Sequence, residues 1–285
     1  MKLYVYIVSA SKNPDNIECY VPFKINRKLI FFGPCKKVLR KELQKEFKVC
    51  EKGKVDVLDQ ELYVMGLNGS NNKGIRKILW LGKITKLLTF EMAYHSFVKN
   101  TAFKTMVKAP YSPLHVEPLY DQNNKFKGYK LISKLHKEDN EWIKDIAMSN
   151  FKGIQYDSKS FKLKDGFSRT ILDKDCCFVC ENIFFAEGKG LEIDGKLLQL
   201  FKDAQPGEDV DEYGIFGRDV NNNAKGRRGS FLEITDSNII TKFVSFISSK
   251  SREIPNPIPY LTTSKKYSKR SCDVIDERVI RDEKC

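Results

Sequence analysis

Apolar positions fall into short runs whose spacing shifts along the chain. In residues 2–8, Leu3-Tyr4-Val5-Tyr6-Ile7-Val8 is dense in β-branched and aromatic side chains and predicts a strand. Residues 9–16 carry Ser, Asn and Pro and predict a loop. Two more short strands are expected over 18–23 and 28–32, the second stopped by Gly33-Pro34. Leu39, Leu43 and Phe47 then recur at i, i+4 and i+8, the buried stripe of a helix. Lys36, Lys37, Arg40, Lys41, Lys45 and Lys48 are assigned to its other face, either solvated or turned to phosphate.

The densest stretch is 56–98. Leu62-Tyr63-Val64-Met65-Gly66 predicts a strand, and residues 67–74, rich in Asn and Gly, a polar turn. Residues 76–84 predict a second strand, apolar on both faces and therefore buried, with Trp80 inside it. Thr89 caps a helix over 90–98. Residues 114–119 predict an edge strand, because Pro118 cannot donate to a ladder, and 121–128 a hairpin-like turn. A strand is expected over 176–185 and helices over 138–149, 196–201 and 236–248. In the last helix Ile239, Ile240, Phe243, Val244 and Ile247 share one side. Residues 204–230 predict a loop of a length usually kept for function, and the chain beyond Pro255-Asn256-Pro257 a loosely held tail. Many short strands, with helices between and after them, argue for an α+β fold. The expected form is a curved mixed β-sheet or partial barrel flanked by helices, not a doubly wound parallel sheet.

Charge adds a direction to this picture. The chain of 285 residues carries a net charge of +13. Residues 1–110 hold 21 Lys+Arg against 9 Asp+Glu, whereas the rest hold 29 against 28. Acidic residues are scarce only in the first third, the electrostatic footprint of a face that binds a polyanion. No apolar run is long enough to span a membrane. The opening apolar run lacks a small-residue cleavage site, so it reads as a first strand and the protein as cytosolic. Eight cysteines contain one C-x-x-C, Cys177 and Cys180, without a second pair to complete a zinc site. Lying in an apolar run, they read as small hydrophobic side chains, and free thiols suit a reducing compartment. No Walker pattern, dinucleotide-binding glycine pattern or metal cluster occurs, so no cofactor and no metal are expected.

Four groups could carry chemistry. The turn over 66–74 brings backbone N–H groups within reach of a ligand, and Asn68, Asn71 and Asn72 suit base edges; an ordinary hairpin connection is the other reading. Trp80, Tyr94 and Tyr111 could flank a base taken out of its stack, or could be core. Ser112 and His115 could bind a ligand edge or move a proton, without a third group to complete a catalytic set. Lys225, Arg227 and Arg228, set among glycines, could clamp a phosphate or be a solvated loop.

The opening Lys2-Leu3-Tyr4-Val5-Tyr6, the segment Phe32-Gly33-Pro34-Cys35-Lys36-Lys37 and Val64-Met65-Gly66 carry a resemblance, with Arg76 to Ile84 and Leu88-Thr89-Phe90-Glu91. Together with Ser112-Pro113-Leu114-His115 and residues 177–190, they resemble the nucleotide-modification-associated domains of phages and bacterial defence islands, relatives of PUA, ASCH and EVE-like barrels. The resemblance covers residues 1–235 and implies a PUA-like nucleic-acid-binding domain there, followed by a C-terminal helix and tail over 236–285. It implies recognition of a modified base in DNA or RNA, DNA being the expected partner, with Asn68, Trp80, Tyr94 and Ser112 around the base and Tyr111 beside them. The basic helix from Lys36, with Lys37 and Arg40, would track phosphates, as would Arg76 and Lys77. A DNA glycosylase on the same scaffold is the alternative. It would need a carboxylate or an Asn-positioned water, for which Asn68, Asp56 and Asp59 are nearest, with His115 a further candidate.

Overall fold

A computed structural model of the chain describes residues 1–8, 22–33, 36–48, 57–68, 75–89, 93, 116–120, 122–124, 126–131, 176–186, 190–217 and 231–251. Its strands are β1 (Lys2–Val8), β2 (Phe23–Lys24), β3 (Leu29–Phe32), β4 (Phe47–Lys48), β5 (Val57–Leu58) and β6 (Leu62–Asn68). They continue with β7 (Lys77–Thr89), β8 (Val116–Tyr120), β9 (Phe126–Leu131), β10 (Cys176–Phe185), β11 (Leu191–Glu192) and β12 (Phe231–Ile234). Its helices are α1 (Lys37–Gln44), α2 (Gly195–Asp203) and α3 (Ser237–Ser251).

Eight strands make one mixed sheet in the order β12-β1-β6-β7-β10-β3-β2, with β11 continuing along β7. β1 and β6 run parallel from Lys2 opposite Leu62 to Val8 opposite Asn68. The other pairings are antiparallel. Among the described residues the sheet is open, with β12 and β2 at its edges. The fold is therefore α+β with a mixed sheet. β4 with β5 and β8 with β9 form separate two-stranded pairs.

Both faces of the sheet are covered, which is why its central strands read as continuous apolar runs. On one face Leu3 and Val5 of β1 and Tyr63, Met65 and Leu67 of β6 alternate inward to meet α2 and α3. Leu197 and Phe201 of α2 and Ile240, Phe243 and Ile247 of α3 supply the other half of that core. Phe201 and Phe243 meet edge to face at 4.8 Å, a geometry worth about 1 kcal/mol beyond the area it buries. On the other face, Tyr6, Phe32, Trp80 and Phe178 form an aromatic layer. Phe47 packs on Phe178, and α1 is tied to the start of β10 through Gln44 and Cys176. Each of these side chains, once fully buried, contributes about 1.5–3 kcal/mol.

Several expectations need correction. Phe47 lies in β4, not in the helix, because α1 closes at Gln44 when the Lys45 N–H turns to the Glu42 carbonyl. Of the strand expected over 18–23, the described part is Pro22, a bend, and Phe23, continued by Lys24 in β2; the expected strand over 76–84 extends to Thr89. β12 falls just beyond the residues read as a long loop and was not expected at all. The expected boundary at 235/236 passes between β12 and α3, yet α3 shares its core with β1 and β6. Asp236 caps α3, its Oδ1 accepting from the N–H groups of Asn238 and Ile239 at 2.8 and 3.1 Å. Of the helix expected over 90–98, only Ala93 is described; it is helical and buried. The loop at 9–16, the helix at 138–149 and the tail beyond Pro257 lie outside the described residues. No helix among the described residues is long and apolar enough to cross a membrane.

Candidate functional site

The parallel pairing of β1 with β6 gives the sheet a polarity. Val8 and Asn68 lie side by side at the carboxyl end of the pair. β12 runs against β1, so its first residue, Phe231, stands opposite Tyr6 near that same end. β7 runs against β6 and begins there with Lys77, and Glu192 of β11 stands opposite Lys77. The sequence segments 9–21, 69–74 and 218–230 therefore leave or enter the sheet at one end, through Val8, Asn68, Ile75 and Phe231.

Arg76 is the most unusual side chain at this end. It is 5% exposed. Its Nη1 donates to the Asn68 carbonyl at 2.8 Å, while its Nε is buried with no acceptor. No carboxylate among the described residues pairs with it, and burial pushes its pKa down. The backbone holds Arg76 on both sides, its N–H donating to the Glu212 carbonyl at 2.8 Å and its carbonyl accepting from Ile193 N–H at 2.9 Å. A buried charge without a partner costs roughly several kcal/mol, so such a group is unusual outside a binding site. Its neighbour Lys77 is half-buried and pairs with Glu192 at 3.1 Å. Asn68 is buried, and its Oδ1 accepts from Lys77 N–H at 2.7 Å, closing the β6–β7 connection.

The amino end of the same pair is built differently. Glu46 there accepts from Lys2 at 2.8 Å, from the Tyr4 hydroxyl at 3.1 Å and from Gln60 at 2.8 Å. Burial raises the pKa of that carboxyl, but the hydrogen bonds outweigh it and hold the group below the usual carboxylate range. Lys2 also reaches Glu233 at 3.1 Å. Glu61, just before β6, pairs with Lys83 and accepts from the Tyr63 hydroxyl at 3.0 Å. The bond from Lys83 holds its pKa low. Glu42 pairs with Lys45 at 2.6 Å. The described glutamates of the first third thus gather at the amino end, each with a lysine.

The remaining candidates divide clearly. Trp80 is fully buried, and its Nε1 donates to the Tyr6 hydroxyl at 3.1 Å, so it is a core residue and not a platform for a base. Arg40 is not on the solvent face of α1. It is 1% exposed and donates to the Cys176 carbonyl, because helix positions 39, 40, 43 and 44 form the buried face. Arg76 likewise cannot meet a phosphate on the outer surface. Lys36 is half-buried, with its ammonium 5.9 Å from the centroid of the Tyr6 ring. Lys37 opens α1, and its side chain lies outside the described residues, as do Asp56, Tyr94, Tyr111, Ser112, His115, Lys225, Arg227 and Arg228. Cys176, Cys177 and Cys180 are buried free thiols, and burial pushes the Cys180 pKa up. No cluster of three metal-ligating side chains occurs among the described residues.

Sequence reasoning placed Arg76 at the surface although a signal against this was present. Arg76 adjoins Ile78 to Leu81, a run apolar on both faces, so that either face at the start of β7 leads into buried positions. Comparison of the chain with protein-family models, with curated proteins and with solved structures finds no match.

Proposed function

We propose that this protein binds nucleic acid at the carboxyl end of the β1–β6 pair, and that its target is a modified base in DNA. The observation that carries this reading is the buried Arg76 guanidinium at that end. Among the described residues no carboxylate pairs with it, whereas Glu42, Glu46 and Glu61 each hold a lysine. An anionic ligand is drawn to a buried cation that lacks such a counter-charge. The sequence that adjoins this end, residues 69–74 and 218–230, supplies further amide donors and the cations Lys225, Arg227 and Arg228. Tyr94, Tyr111 and Ser112 are the proposed base-facing groups. Trp80 and Arg40 belong to the core and have no part in it. The reading carries with it closure of the sheet into a PUA-like partial barrel, and a place in phage–host conflict.

The test is binding of fluorescent duplexes with and without a hypermodified cytosine, followed by alkali to break abasic sites. Tighter binding of the modified duplex, with no strand breaks, is expected. Equal binding removes the modified base from the proposal. Breaks that vanish in Asn68→Ala replace the reader with a glycosylase. Binding of neither duplex ends the nucleic-acid reading.

A further inference from the structure

We infer that Arg76 is the receptor for a terminal phosphate, so that the protein takes hold of a phosphorylated strand end or nucleotide at this side chain. The inference rests on the nucleic-acid reading above and narrows its substrate class. It starts from depth. The guanidinium is 5% exposed, and its Nη1 is already committed to the Asn68 carbonyl. A phosphodiester inside a duplex is held on the surface of a stiff rod and cannot follow a side chain into the end of a sheet. A phosphate at the end of a strand can.

Charge favours the same ligand. A phosphate monoester carries about −1.5 to −2 charges near neutral pH and three terminal oxygens. A diester carries one charge and two such oxygens, so the monoester compensates a buried cation better. Geometry agrees. Nε is the atom left without an acceptor, and Nε belongs to the edge of the guanidinium that grips oxyanions side-on with two parallel hydrogen bonds. Arg76 is also pre-positioned, because its backbone is fixed by Glu212 and Ile193 and its side chain by Asn68. A lysine could not reproduce the fork at this site.

The experiment compares one short single-stranded oligonucleotide bearing a 5′-phosphate or a 5′-hydroxyl, and the same pair at the 3′ end, by fluorescence anisotropy on the full chain. Binding tighter by about tenfold is expected for one phosphorylated end, a ratio that corresponds to 1.4 kcal/mol. In Arg76→Met, and in Arg76→Lys, the two forms should bind within about twofold of each other. Should neither variant fold, competition on the wild type keeps the test sharp. A nucleoside monophosphate should displace the phosphorylated oligonucleotide, and the bare nucleoside should not. Equal affinity for phosphorylated and hydroxyl ends overturns the inference while leaving nucleic-acid binding in place. So does a phosphate preference that survives in Arg76→Met. Failure of every oligonucleotide to bind overturns both.

Discussion

The indole N–H of Trp80 reaches the Tyr6 hydroxyl at 3.1 Å across a strand that lies between them. Tyr6 stands opposite Gly66, and Gly66 stands opposite Trp80. The bond therefore passes over Gly66, where a Cβ would come within 2.1 Å of the indole nitrogen and 2.7 Å of Val8 Cγ2. Neither atom belongs to a side chain with room to move, since Trp80 and Val8 are both buried. Gly66→Ala should destabilise the protein by about 3 kcal/mol. Tyr6→Phe leaves the indole N–H without an acceptor and should cost about 1–3 kcal/mol. Urea unfolding measures both; a neutral Gly66→Ala would show that the aromatic layer is packed otherwise.

The same bond predicts what Trp80 does not do. In a Trp142→Phe background, leaving Trp80 as the one tryptophan, emission should be that of a buried indole and should not be quenched when nucleic acid binds. Quenching would return Trp80 to the binding surface.

Arg40 gives a test that separates stability from binding. It fastens α1 to β10 through the Cys176 carbonyl, and Gln44 adds a contact to the Cys176 sulfur at 3.2 Å. Arg40→Met removes a buried charged donor and should lower stability by about 1.5–3 kcal/mol. The salt dependence of nucleic-acid binding should not change. A loss of binding at unchanged stability would make Arg40 a phosphate contact after all.

Glu46 sets a pH dependence. Its folded pKa lies below its unfolded one, so its contribution to stability is present above the unfolded value and is lost as pH falls through the folded value. The difference in thermal stability between wild type and Glu46→Gln should be largest near neutral pH. It should shrink below about pH 4, the unfolded carboxylate range. A difference independent of pH would mean that the bonds from Lys2 and Tyr4 contribute no charge-dependent stability.

The legible part of the fold was its local part. Strands such as Lys2–Val8 and Cys176–Phe185 announce themselves because buried strands are continuous apolar runs, and Asp236 announces α3 because a carboxylate accepts the helix's first free N–H groups. The parallel partnership of β1 with β6 was not legible. Nothing in either run specifies a neighbour some sixty residues away, and that pairing alone brings Val8 and Asn68 together. Arg40 was misread and Trp80 was left open between base and core, for opposite reasons. An aromatic in a strand says nothing about which face it joins. An arginine among lysines was grouped by charge, although its helix position belongs with Leu39 and Leu43.

The most direct test of the central claim is the salt dependence of nucleic-acid binding in two single-charge variants. Lys77→Gln removes an ion-paired lysine at the carboxyl end of the parallel pair, and Lys45→Gln removes one just after α1, next to Glu46 at the amino end. Lys77→Gln should reduce the slope of log affinity against log salt by about 1, and Lys45→Gln should leave it as in the wild type. Equal slopes in all three proteins, or a loss confined to Lys45→Gln, would contradict the account.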